Sequence, residues 1–196
     1  MKEEKAAGIS LFASAIALMA TMASHPTGRE LIEHGGTQAA VSHSLGLISI
    51  PLALFGFLIV TRILRRIPNL AVFAFITYAV GAMAMLIAAT LSGFVASAVV
   101  NDDVLFHYTG YLNRSFATVG VVAISLAILL WSIAMIRERL WVAVLGLAIG
   151  GATIIAVGSG HLRLNLHGFA IVAISQAIWT ICVAVWMLGF APRQQV

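Results

Sequence analysis

Arg62-Ile63-Leu64-Arg65-Arg66-Ile67-Pro68 interrupts two long apolar runs, Gln38–Ile63 and Asn69–Val100, and this short cluster decides how the chain must be read. Three guanidinium groups cannot cheaply sit in hydrocarbon, so the runs on either side are separate membrane spans with the cluster in water between them. Arg137-Glu138-Arg139 repeats the event later, between Ser115–Ile136 and Trp141–Gly160. Working outward from these two breaks adds a first span near Ala7–Ser24 and a last near Leu166–Phe190. The expectation is an all-α integral membrane protein, one six-transmembrane-helix bundle over residues 1–196. The third run is the longest and is expected to tilt or project beyond the bilayer.

Composition agrees. The chain is 61% hydrophobic and 9% charged, far from the balance of about half apolar and a quarter charged in soluble domains. At 196 residues, six helices of about 20 residues with short loops leave no room for a soluble domain. The net charge of +4 does not indicate nucleic acid, because the basic residues are scattered at span boundaries rather than gathered on one face. Cys182 is the single cysteine, which excludes an internal disulfide and a cysteine-based zinc or iron–sulfur site.

Orientation follows from loop charge. With the N-terminus inside, the cytoplasmic side holds Lys2, Lys5, Arg62, Arg65, Arg66, Arg137, Arg139 and Arg193, and the outer side only Arg29, Arg114 and Arg163. Lysine and arginine favour the cytoplasmic side, so the bundle is expected as three outward hairpins with both termini cytoplasmic, in the manner of a multi-pass inner-membrane protein. The first span resembles a signal peptide in its Met1-Lys-Glu-Glu-Lys5 start and its small residues before His25, and is read as a retained helix.

Under this topology all six histidines, His25, His34, His43, His107, His161 and His167, fall at the outer ends of the helices. The descending limbs begin near His43, His107 and His167. The ascending limbs end with His25, with Asp102-Asp103, and with His161. Imidazole is the commonest protein metal ligand, and a carboxylate joins it or orients its second nitrogen. Asp103 and His107 stand four apart and share a face if helix continues there.

The expected site therefore gathers His43, His107, His161 and His167, with Asp103 and His25 as further metal ligands. It would hold haem b or a transition metal (copper, iron or zinc), since these suit imidazole whereas magnesium and calcium want more oxygen. No H-E-x-x-H or histidine box is present to narrow the choice. Gly35-Gly36, Gly46, Gly158, Gly160 and Gly168 would give a macrocycle room. Segment 25–39, which includes His34, is expected to be a lid rather than a ligand. Arg29, Arg114 and Arg163, one per outer loop, are interface anchors, partners of Glu30, Glu33, Asp102 and Asp103, or partners for an anionic group such as a haem propionate or a lipid phosphate.

The function expected from this cluster is redox chemistry or electron transfer on the outer side, with membrane lipids, a quinol or another apolar small molecule, and other membrane subunits as partners. Three alternatives stand beside it. One is an accessory subunit whose histidines join a hydrogen-bond network. Another is a membrane zinc hydrolase using Asp102, Asp103 or Glu33 as base. The last is a small transporter, whose signature of mid-bilayer ionisable residues is thin here. Gly158-Ser159-Gly160 precedes His161, but sequence neighbours do not make a nucleophile and its base. Gln176, nine residues from His167, lies on the opposite helix face and is not assigned to the site. Pro51 should bend the second helix, and Gly146, Gly150 and Gly151 should mark close helix packing. Trp131, Trp141, Trp179 and Trp186 are expected at the inner interface, with Tyr108 and Tyr111 at the outer one.

Overall fold

The computed structural model describes residues 2–25 and 36–189. Among them all regular structure is helical: α1 (Lys2–Ala23), α2 (Gly36–Ile63), α3 (Pro68–Thr90), α4 (Asp103–Met135), α5 (Leu140–Gly158) and α6 (Leu166–Gly189). A π-helical turn, Leu91–Val95, and a short α-helical turn, Ala96–Ala98, prolong α3. Six helices are long and apolar enough to cross a bilayer, which fits a multi-pass integral membrane protein.

The helix ends explain where reading the apolar runs went astray. The fourth helix, not the third, is the longest, and it begins at Asp103 rather than near Ser115. Asp102 caps it: the carboxylate accepts the Leu105 amide at 3.0 Å, satisfying one of the donors that open a helix. A polar first third therefore stays helical although it carries His107, Asn113 and Arg114. At about 1.5 Å per residue, 33 residues reach roughly 50 Å, against a hydrocarbon core of about 30 Å, so these polar turns have room outside it. Pro68 opens α3, where its missing amide costs nothing. Gly160, at φ 74°, closes α5 in the left-handed region that glycine enters freely.

Each helix packs on its neighbours in the chain, and α1 packs extensively on α6, so the contacts close into a ring. Small residues set the spacing. A Cβ on Gly81 would strike Ile124, one on Gly120 would strike Met85, and one on Gly150 the backbone of Ser125. These contacts seat α3 on α4 and α4 on α5. A Cβ on Gly146 would likewise strike Ser132 and Trp179, while Gly151 is loosely packed, with a single contact at 4.0 Å.

The ring is plugged at one end by aromatics. Phe57 stacks on Trp131 and Trp179 at centroid separations of 4.5 and 5.7 Å, and Tyr78 tilts against both Phe57 and Trp131. Trp131 donates to Thr61 Oγ1 at 3.1 Å and Trp179 to the Val142 carbonyl at 3.2 Å. This corrects the expected interfacial role of the tryptophans: Trp131, Trp179 and Trp186 are fully buried, and of the four only Trp141 is exposed. Burial follows once the indole N–H of Trp131 and of Trp179 has an acceptor inside the bundle. Tyr108 and Tyr111 are exposed. Just beyond the plug Arg66 pairs with Glu138 at 3.0 Å, tying the α2–α3 connection to the α4–α5 connection.

Candidate functional site

At the opposite end of the ring the helices stay apart. They enclose a cavity of about 400 Å³ lined by α1, α2, α3, α4 and α6 and by Leu164 and Asn165 before α6. Phe57, Tyr78 and Ile128 bound it towards the aromatic plug, and His25, His43, Asn113, Arg114 and Asn165 stand among the lining residues of the histidine end. Between them the wall is mostly small or aliphatic, including Ala15, Ala53, Ala82, Ala117 and Ala173. A few polar groups are already occupied. Ser14 donates to the Ser49 carbonyl at 2.8 Å, and Gln176 donates to Ser125 Oγ at 3.0 Å. Gln176, set aside on sequence grounds, thus lines the cavity that His43 lines.

His43 is the most constrained of the described histidines. It is buried, and its Nδ1 lies 2.7 Å from the Ala39 carbonyl. A carbonyl only accepts, so Nδ1 carries the proton and the lone pair of the neutral ring is on Nε2. The π-helical turn packs closely on the same side chain, since a Cβ on Gly93 would collide with the Cβ and Cγ of His43. π-Turns inside α-helices often mark functional positions, and here the turn brings a residue without a side chain against the imidazole. His25 meets the same ring edge to face, centroids 4.8 Å apart. Ser24 and Ser42 share a hydrogen bond of 2.6 Å, and Gln38 donates to the Ser24 carbonyl at 3.2 Å, so the end of α1 is fastened beside the start of α2.

The other expected ligands are placed differently. His107 is exposed on α4 with its ring beside Phe106 at 6.3 Å, and Asp103, one turn earlier on the same helix, is exposed too. His107 lines a second, smaller cavity, which the main one adjoins at Ser92, Gly110, Asn113 and Arg114. His161 and His167 are exposed at the α5–α6 connection. Among the described residues no three His, Cys, Asp or Glu side chains are grouped so as to hold a metal ion. What the fold brings together from the expected set is the pair His25 and His43. His34, Arg29, Glu33 and most of the expected lid lie outside the described residues.

Ser159 and His161 do approach, at 2.8 Å, but with the wrong polarity for catalysis. Ser159 Oγ is 2.6 Å from the Ile155 carbonyl, which takes the one hydroxyl proton, so the imidazole donates to Oγ rather than accepting from it. The arrangement closes the end of α5. Asn165 plays the matching part for α6, accepting the Gly168 amide at 3.0 Å.

Sequence reasoning missed the cavity itself. Many of its wall residues are alanines, which look like ordinary packing residues in any apolar helix. Gly46, expected to give a macrocycle room, does line it. Set against known proteins, the chain matches no family model, no curated protein and no solved structure.

Proposed function

We propose that this chain is a six-span membrane protein, termini cytoplasmic and histidine end outside, that takes a chain-bearing amphiphile into its helix bundle and acts on the polar end through His43. The observation that carries this reading is the main cavity, about 400 Å³, within the range of roughly 300–1,000 Å³ for ligand pockets. It is mostly apolar along its length, its Gln176 amide and Ser14 hydroxyl being taken up inside the bundle. Aromatics close it at one end, while its basic groups and the amides of Asn113 and Asn165 stand at the other. Such a gradient suits a molecule with a hydrocarbon or isoprenoid tail and a compact head, a class that includes the quinols. At that head His43 presents Nε2 as a proton acceptor or a ligand.

A direct test reads the tail. In a Trp141→Phe background, an amphiphile brominated at its chain terminus should quench the fluorescence of the plug tryptophans Trp131 and Trp179. Ala117→Phe, which fills the cavity from α4, should reduce that quenching. Equal quenching in both proteins, or none in either, removes the reading. Reporter fusions at Met1 and Val196 that report opposite sides would refute an even number of spans, and two outside reports would overturn the orientation.

A second reading, metal or haem ligation, is favoured by one observation: a histidine whose Nδ1–H is held by a backbone carbonyl is arranged as metal-bound histidines usually are. Copper, iron or zinc would sit between the nitrogens of His43 and His25. Haem b would have to use His43 alone from this pair, because rings in contact at 4.8 Å leave no layer for a macrocycle between them. An absorption spectrum with elemental analysis decides this: a Soret band or stoichiometric metal that His43→Ala removes supports redox work at this site. Neither signal in protein prepared without chelators returns the histidines to a hydrogen-bonding role.

A further inference from the structure

The first third of α4 carries a feature that the histidine pair does not explain. A glycine within a helix is unfavourable relative to alanine, and at Gly8, Gly56, Gly81 and Gly120 close approach accounts for it: a Cβ there would strike the neighbouring helix. On Gly110 it would meet nothing within 4 Å. The open space beside Gly110 belongs to both cavities, the main one and the smaller one of about 300 Å³. Gly110 is thus a gap in the wall where the two adjoin.

The smaller cavity is rich in donors. Arg114 lies four residues after Gly110 and His107 three before it, so all three share one face of α4. Tyr111, Asn113, Thr109 and Ser92 also line it, and among the described residues no carboxylate does. Arg114 has no acidic partner among the described residues. Asp103, the nearest acid in sequence on α4, is about 16 Å away along the axis.

We propose that the smaller cavity binds the oxyanion head, carboxylate or phosphate, of an amphiphile whose chain passes Gly110 into the main cavity, with Arg114 as the charge that selects it. The inference rests on the main cavity's being a chain site, and it narrows the ligand from amphiphiles in general to anionic ones. A guanidinium with no acidic partner among the described residues, lined up with hydroxyl and amide donors, suits an oxyanion, which it can meet in a two-pronged contact. A neutral head would leave that charge without a counterpart.

The test uses the full chain in a neutral maltoside detergent and the plug-tryptophan quenching described above, with chain-terminally brominated stearate, stearyl phosphate and stearyl alcohol as probes. Both anionic probes should bind at least about tenfold more tightly than the alcohol, the size of one charge-assisted contact. Arg114→Gln should erase that preference and Arg114→Lys keep part of it. Gly110→Leu, a helix-favouring change, should weaken all three probes. Alcohol and acids binding alike to the wild type, or a preference that survives in Arg114→Gln, overturns the anionic head site and leaves the chain site standing. No quenching by any probe overturns both. Inorganic phosphate should fail to displace the brominated probes at millimolar concentration; displacement as strong as that by stearyl phosphate would show that the chain does not run through the gap.

Discussion

The two ends of this bundle are built by the same helices and solve opposite problems. At the end marked by Arg66 and Glu138, α2, α3, α4 and α6 send Phe57, Tyr78, Trp131 and Trp179 into the centre of the ring, and the rings fill it. At the histidine end the same helices offer Gly46, Ala88, Ala89, Ala117 and Ala173, and a cavity remains. The difference teaches where stability and chemistry reside. In lipid, helix association rests on packing and interhelical hydrogen bonds rather than on the expulsion of water. The packed end therefore holds the ring shut and lets the other end stay open.

The strongest challenge to that division is Trp131→Ala. It removes the centre of the plug together with the hydrogen bond to Thr61, and should cost about 3–5 kcal/mol, read as a large fall in the midpoint of detergent denaturation. A loss under 1 kcal/mol would mean that the plug is not what holds the helices. Gly146→Leu comes next. Its side chain would meet Ser132 and Trp179, and overpacking of this kind costs about 1–3 kcal/mol.

At the open end the sign should reverse. Ala89→Leu adds volume to the cavity wall and should stabilise by roughly 0.5–2 kcal/mol, as cavity-filling changes do, while lowering the affinity for any chain-bearing probe. If it destabilises as much as Gly146→Leu, the cavity is already filled by neighbouring side chains in solution. The smallest effect belongs to Arg66→Gln. Arg66 is 62% exposed and Glu138 25%, so solvent screens the pair and its loss should cost less than about 1 kcal/mol, a shift in midpoint near the limit of measurement.

Several features were legible in the residues alone. The arginine clusters at 62–66 and 137–139 fix the number of spans, because the cost of placing charge in hydrocarbon depends on local sequence and not on the partner helix. The gathering of histidines towards one end is equally visible, since it follows from counting along the chain. Which of them meet was not visible. His107, His161 and His167 share an end of the bundle with His43, yet each is exposed while His43 is buried, and that depends on the rotation of each helix about its axis. Rotation is set by close contacts such as Gly93 on His43 and Gly150 on Ser125, and a run that is apolar all round carries little record of which face turns inward.

The same reason governs the tryptophans and the cavity. Trp131 and Trp179 sit near span ends where interfacial aromatics are common, and only the acceptors that neighbouring helices bring to them, Thr61 Oγ1 and the Val142 carbonyl, let them be buried. An alanine reads alike whether it lines a void or touches a neighbour. Sequence therefore determined that the chain crosses the membrane and where it must turn, because those are costs each segment meets alone. Tertiary structure decided which end is filled and which is hollow, because a cavity is a property of five helices at once and is written in none of them separately.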